Sequence, residues 1–115
     1  MPLDKSLQSG STAMLLLKLL SEQDMYGYQM TETLARRSDR TFLLKAGTLY
    51  PLLHQLETQG LVVSYEQAAE GARVRKYYHI TKDGQRALTD KQQEWNRFTH
   101  AVNHVLEGGE CYAKA

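Results

Sequence analysis

The stretch that most constrains the fold is residues 45–60, KAGTLYPLLHQLETQG. Four leucines recur there at the spacing of one helical face, which predicts an amphipathic helix with a buried leucine side. They are Leu49, Leu52, Leu53 and Leu56. The opposite face carries neutral hydrogen-bonding side chains in place of the usual Glu and Lys: Thr48, Tyr50, His54, Gln55 and Thr58. Such a helix can pack on a core and present donors and acceptors outward, although an ordinary amphipathic helix shares the leucine spacing.

Two predicted strands follow this helix directly. Residues 61–67 and 74–80 are rich in β-branched and aromatic side chains, and Gly71 between them suits a turn. The turn and second strand contain Arg73, Arg75 and Lys76. A helix followed by a hairpin with a cationic tip is typical of the winged helix-turn-helix, in which the helix enters the DNA major groove and the hairpin touches the backbone.

These segments resemble a known family. GTLYPLLHQLETQGLV, a turn containing Gly71 and then RKYYHITKDGQRAL closely resemble the PadR family of bacterial winged-helix transcriptional regulators. The resemblance covers roughly residues 15–88 and extends more loosely to the C-terminal helix. It implies a homodimeric regulator, a repressor, that binds double-stranded DNA at an inverted-repeat operator. The expected DNA contacts are Lys45, Thr48, Tyr50, His54, Arg73, Arg75 and Lys76.

The region before residue 45 is predicted to hold two helices and a short strand. The first helix starts near residues 9–12 and ends near residue 20, and its run of leucines leaves almost no polar face. We therefore expect Leu15 to face a second subunit. The second helix covers residues 28–37 after a turn at 24–27, and residues 41–44 form a minor strand beside the hairpin. Whether Arg36, Arg37 and Arg40 touch DNA stays open, since cations also suit a helix C-terminus.

A long C-terminal helix is predicted from residue 82 to about 106, with Thr81 as its N-cap. Its apolar residues recur in heptads, the pattern of a coiled-coil seam, although Lys91 interrupts the first heptad. The seam residues are Leu88, Trp95, Phe98, Val102 and Val105. The predicted organisation is therefore a winged helix-turn-helix domain at 1–80, a dimerisation helix at 81–107 and a flexible tail at 108–115.

Trp95, the single tryptophan, lies in the middle of this seam. Two indoles facing each other across a dimer would interlock poorly and could leave an aromatic-walled slot. A planar aromatic, often cationic, effector could stack there, with Met14 lining the slot. Short PadR relatives resemble this plan, because some respond to drugs held between the subunits. The alternative is that Trp95 simply fills the dimer core.

Composition sets further bounds. The 115 residues suit one domain with a formal net charge of +1, and residues 35–76 carry seven Lys and Arg against four Asp and Glu. This local excess of positive charge is a modest indication that the segment contacts phosphates. The lone Cys111 cannot form an intramolecular disulfide, and the apolar run at 13–20 is far too short to span a bilayer. A cytoplasmic protein without a membrane segment is expected.

Other kinds of chemistry find little support. His100 and His104 have the i, i+4 spacing of two metal ligands. Apart from Glu107, no Glu, Asp or Cys lies nearby on that helix to complete a metal site. No nucleophile motif, phosphate loop or catalytic carboxylate pair is present, so we expect no enzyme, metal or cofactor. Two rivals remain: a winged-helix module that binds only protein, and a scaffold in which the ligand pocket matters most. The operator, the regulated genes and the effector cannot be deduced from the sequence.

Overall fold

A leucine core forms where the helices meet one face of a small sheet. The computed structural model describes residues 5–108, with side chains from residue 11 onward. Its elements are α1 (Lys5–Glu22), β1 (Met25–Tyr26), α2 (Gly27–Arg37), α3 (Ala46–Thr58), β2 (Val62–Ala68), β3 (Val74–Ile80) and α4 (Lys82–Leu106). The predicted fold class is confirmed: mostly α, with a small β-hairpin and a long C-terminal helix.

Helix α1 lies at the centre of this core and packs against α2, β3 and α4. Its buried leucines are Leu16, Leu17, Leu19 and Leu20. The chain therefore covers most of the apolar surface of residues 11–22 of α1, and Met14 and Leu15 stay half-buried. The helix also begins at Lys5, earlier than the predicted start at residues 9–12.

The sheet is antiparallel, in the order β1-β3-β2. Strands β2 and β3 pair along their whole length, from Val62 opposite Ile80 to Ala68 opposite Val74. Strand β1 pairs with β3 only through Met25 and Tyr26. Residues 66–68 and 74–76 therefore form a two-stranded segment beyond β1, which we call the distal ribbon. Tyr78 is buried while Tyr77 lies on the other face, as the alternation of a strand predicts.

The third strand is not where the sequence pattern placed it. Residues 41–44 have no strand structure, and the edge beside β3 is taken by β1 instead. Asp39 and Arg40 turn the chain with positive φ angles, and the Ser38 hydroxyl then accepts a hydrogen bond from the Phe42 amide. Phe42 and Leu44 are apolar because they pack against the core, not because they alternate along a strand.

Helix α3 begins at Ala46, with Lys45 as its N-cap residue. Both the Thr48 and Leu49 amides donate to the Lys45 carbonyl oxygen, so the first turn forms before the proline. Pro51 therefore lies in the second turn of α3. It has no amide to donate to the Gly47 carbonyl, but Gly47 is exposed and water can take that role.

The start of α4 is fastened to the end of α3. The Thr81 hydroxyl accepts a hydrogen bond from the Gly84 amide at 3.0 Å and donates to the Gly60 carbonyl oxygen at 2.7 Å. The Thr81 amide also donates to the Leu61 carbonyl oxygen. Gly84 is needed in this turn because a Cβ atom there would overlap that Leu61 oxygen. The predicted N-cap is confirmed.

Candidate nucleic-acid interface

Helix α3 separates a buried face from an exposed polar one. Leu49, Leu53 and Leu56 are buried in the core and Leu52 is half-buried. The predicted contact residues on the other face are all exposed: Lys45, Thr48, Tyr50 and His54. These four residues carry one formal positive charge, from Lys45, and several donors and acceptors. Such a face can hydrogen-bond to base edges without the repulsion that carboxylates would bring.

Tyr50 is held between solvent and the preceding helix. Its side chain is 47% exposed, yet the ring and hydroxyl lie against Gly27, the first residue of α2. A Cβ atom at Gly27 would overlap the Tyr50 hydroxyl, so a glycine lets the ring rest on the first turn of α2. This contact joins α3 to the start of α2, the two helices of the helix-turn-helix.

The hairpin cations lie on different faces of the sheet. Lys76 Nζ is 5.7 Å from the centroid of the Tyr78 ring, on the core face. Helix α3 adjoins that face, since the Ser64 hydroxyl on β2 donates to the Glu57 carboxylate on α3 at 2.8 Å. The Arg75 guanidinium carbon lies 4.4 Å from the centroid of the Tyr26 ring, on the opposite face. Arg73 is exposed in the turn. Lys76 is thus the hairpin cation on the same face of the sheet as α3.

The face of the sheet turned away from the core carries a row of tyrosines, one from each strand. The rings of Tyr26 and Tyr77 meet edge to face at 5.4 Å, and those of Tyr77 and Tyr65 stack at 5.7 Å. We call these three residues the tyrosine row. The row was not predicted from the sequence. The alternation of the two strands could have paired Tyr65 with Tyr77, but a two-residue strand gives no periodic signal for Tyr26.

Asp24 joins the same face from the residue before β1. Its carboxylate accepts a hydrogen bond from the Tyr65 hydroxyl at 2.6 Å, and its other oxygen lies 2.8 Å from His79 Nδ1. Burial acts to raise the pKa of Asp24, but the two hydrogen bonds outweigh it and hold that pKa below its usual value. The hydrogen bond to Asp24 in turn raises the pKa of the Tyr65 hydroxyl.

Comparison with known proteins decides the family. The model of the transcriptional regulator PadR-like family matches residues 16–90 of this chain. The chain belongs to the PadR-like family. It is 33% identical over 98 residues to the transcriptional regulator Rv3488 of Mycobacterium tuberculosis, covering 85% of this chain and 88% of that protein. The resemblance inferred from the sequence motifs is thereby confirmed.

Solved structures agree. A PadR family transcriptional regulator from Eggerthella lenta superposes with a TM-score of 0.79 at 36% identity, covering 89% of this chain and 87% of that one. A transcriptional regulator from Clostridium thermocellum gives a TM-score of 0.79 at 31% identity, covering 85% and 95%. The PadR-like chain is therefore a winged-helix transcriptional regulator, in a family of regulators and not of enzymes.

The arginines at and just after the end of α2 differ in the contacts they make. Arg37 forms an ion pair with Glu22 at the end of α1, with 2.5 Å between Nη1 and Oε1, and this hydrogen bond lowers the pKa of Glu22. Lys18 lies 3.6 Å from the same carboxylate. Arg36 and Arg40 are exposed. Arg37 thus has a structural role in joining α1 to α2 in this PadR-like fold.

The predicted seam on α4 is largely exposed. Leu88 is buried in the chain's own core, whereas Trp95 is 40% exposed, Phe98 58%, Val102 38% and Val105 75%. The Trp95 and Phe98 rings lie 6.0 Å apart. Because a helix of this length has an apolar stripe without a covering element in the described chain, the stripe is available to a partner. Met14, the other expected effector residue, is half-buried.

Metal and membrane functions gain no support from the described residues. The His100 and His104 rings stack at 6.3 Å, and no cluster of three or more potential ligands occurs within residues 5–108. Within the same residues, no helix combines the length and the apolar character that a membrane span requires. Cys111 lies outside the described residues.

Proposed function

We propose that this PadR-like regulator is a cytoplasmic homodimeric repressor that binds an inverted-repeat operator and leaves it when a small molecule binds. The observation that carries the DNA part is the exposed polar face of α3, with Lys76 of the hairpin on the adjoining side of the sheet. In this proposal residues 1–80 bind DNA and residues 81–107 form the dimer.

The proposed contacts divide into two kinds. Thr48, Tyr50 and His54 face the base edges in the major groove, where side-chain hydrogen bonds distinguish base pairs. The cations approach phosphates and supply affinity with little sequence preference. They are Lys45, Arg73 and Lys76, with Arg75 as a further candidate.

The dimer is supported by the exposed stripe on α4. Trp95, Phe98 and Val102 are large apolar side chains on an otherwise mainly polar helix, and a second copy of the same helix would cover them. Leu15 and Val105 are proposed to extend this interface. A two-fold dimer would place two copies of α3 about one turn of DNA apart, which accounts for an inverted-repeat site.

The effector is proposed to bind at Trp95. A planar aromatic cation could stack between the two indoles of a dimer, beside Met14, with cation–π attraction of about 0.5–2 kcal/mol. Trp95 fluorescence tests this: we expect quenching that saturates at one ligand per dimer and a matching loss of DNA affinity. A broad panel of planar compounds that leaves both emission and DNA binding unchanged would assign Trp95 to dimer packing alone.

The DNA proposal is tested by selecting bound duplexes from a random pool and measuring affinity against salt. We expect an enriched two-fold motif and a steep fall in affinity as salt rises. His54→Ala should change the preferred motif, whereas Arg73→Ala should weaken all duplexes and reduce the salt slope by roughly one. If no duplex binds in a salt-dependent way, the alternative of a protein-interaction module is favoured, although that function gives no reason for Arg73 and Lys76.

A further inference from the structure

We propose that Asp24, Tyr65 and Arg75 are positioning residues that hold the hairpin at the angle its cations need to reach DNA. We call these three residues, with Tyr26, Tyr77 and His79, the outer clamp. The inference deepens the proposed DNA-binding function and rests on it. It concerns the face of the sheet away from the core, where the proposed function uses Arg75 alone, as a further candidate for phosphate contact.

The hairpin needs such a restraint because its distal ribbon lies beyond β1. A two-stranded ribbon is only marginally stable and twists more freely than a wider sheet. The core face offers the ribbon little support, since Glu66 and Ala68 are exposed and Val74 is 61% exposed. The angle of the ribbon is therefore not fixed by packing against the leucine core.

The outer face supplies the missing contacts. Arg75 belongs to the distal ribbon, opposite Gln67, yet its guanidinium lies over the ring of Tyr26 on β1. It thus bridges diagonally from the ribbon to the short strand. The tyrosine row continues the connection, because Tyr77 contacts Tyr26 on one side and Tyr65 on the other.

Asp24 connects this face of the hairpin to the end of α1. Its backbone position is fixed between α1 and β1, and its carboxylate contacts both hairpin strands: Tyr65 on β2 and His79 on β3. A hydrogen bond to a charged group contributes more than a neutral one. One carboxylate thereby ties both strands of the hairpin to the end of α1.

Tyr65→Phe tests the clamp with the least disturbance. It removes the hydroxyl that bonds Asp24, keeps the ring stacked on Tyr77 and changes no charge at neutral pH. Tyr28→Phe is the matched control, because it removes a hydroxyl 3.3 Å from the Glu32 carboxylate on α2, away from the hairpin. Asp24→Ala removes both clamp bonds.

Amide hydrogen exchange without DNA measures the clamp directly. In Tyr65→Phe we expect amides of residues 66–76 to exchange about tenfold faster, as for loss of one charge-assisted hydrogen bond. Amides of α3 should be unchanged, and Tyr28→Phe should match the wild type throughout. Adding Tyr65→Phe to Asp24→Ala should have no further effect, because the bond is already absent. Unchanged exchange in both Tyr65→Phe and Asp24→Ala would overturn the proposal.

DNA binding then shows whether the clamp positions the cations. Using duplexes selected by the wild type, we expect Tyr65→Phe to bind about three- to tenfold more weakly and with a smaller salt slope. A slope change without loss of a charge means that phosphate contacts made by other residues have weakened. Faster exchange with unchanged affinity and slope would make the clamp purely structural. If the wild type itself binds no duplex, the proposed function fails, and the exchange result still decides whether the clamp exists.

Discussion

Helices α1 and α4 are both rich in apolar residues, but these residues are mostly buried in α1 and mostly exposed in α4. The leucines of α1 come as a run, and residues 16–20, except Lys18, are buried within the chain. The apolar residues of α4 after Leu88 come as a heptad stripe between charged residues, and they are exposed. A dense apolar run thus indicates burial on several sides of one core, whereas a narrow apolar stripe on a polar helix indicates a partner. Leu15 lies between these cases, half-buried at the edge of the core.

The largest effect that this comparison predicts is on folding. Leu17→Ala should lower the free energy of unfolding by about 2–5 kcal/mol, because it opens a cavity at a fully buried site. Denaturant unfolding measures the loss. Leu106→Ala is the control on α4, where the side chain is 76% exposed, lies outside the proposed interface and should cost little stability. Equal losses at the two sites would abolish the distinction between the helices.

The next effect is on assembly. Val102→Asp should weaken dimerisation by about a hundredfold or more, since it would bury an unpaired carboxylate in the proposed interface. Light scattering across a concentration series measures the mass. Asn103→Asp adds the same charge one residue away, off the stripe, and should still form dimers. A wild-type protein that stays monomeric at micromolar concentration would remove the basis for a partner on α4.

The third effect is on the stability of the first turn of α4, which, unlike the rest of that helix, belongs to the core. Gly84→Ala should destabilise the fold by about 1–3 kcal/mol, since the new methyl group would meet the Leu61 carbonyl oxygen. Gly47→Ala is the matched glycine in a helix with open space around it, and it should be neutral or stabilising by up to about 1 kcal/mol. Thermal unfolding compares the two. Similar shifts for both variants would contradict the tight contact.

The smallest effect concerns pH at the end of α1. The pKa values of Glu22 and Asp24 are both lowered in the folded chain, so their contribution to stability is present above the unfolded values of 4.5 and 3.8. It is lost as pH falls through the lower folded-state values. We expect faster hydrogen exchange at residues 22–26 and in the hairpin as the solution is acidified below about pH 4, after correction for the intrinsic rate. Asp24→Asn should remove the pH dependence at the hairpin. If hydrogen exchange in the hairpin of this variant keeps the same pH dependence, a group other than Asp24 is responsible for it.

Much of the fold follows from periodicity. The helical spacing of Leu49, Leu53 and Leu56 and the alternation in β2 and β3 each extend over enough residues to be recognised. Strand β1 could not be predicted in this way, because two residues show no period and its partner Tyr78 lies more than fifty positions away. The same limit explains why residues 41–44 resembled a strand: apolar residues in a loop can also be held by the core.

The candidate site was predictable in part. Exposure of Thr48 and His54 follows from the helical face opposite the leucines, and the strand alternation separates Arg75 from Lys76. The role of Gly27 beneath Tyr50 and the contacts of Asp24 depend on tertiary proximity, which a single sequence does not display. The tolerance of Pro51 also depends on the folded structure, because a proline in the second turn is accepted where the carbonyl oxygen that it leaves unpaired is open to water.

The hydroxyl of Thr81 has a mechanical consequence. It donates a hydrogen bond to Gly60, just after the end of α3, and accepts one from Gly84 in the first turn of α4. Thr81 thus links the start of α4, a helix of 25 residues, to the end of α3. If the far end of α4 swings relative to the core, either the bond to Gly60 breaks or the end of α3 moves with it. A displacement of α4 would therefore reach the C-terminal end of α3 through Thr81, whose hydroxyl bonds Gly60 and whose amide bonds Leu61.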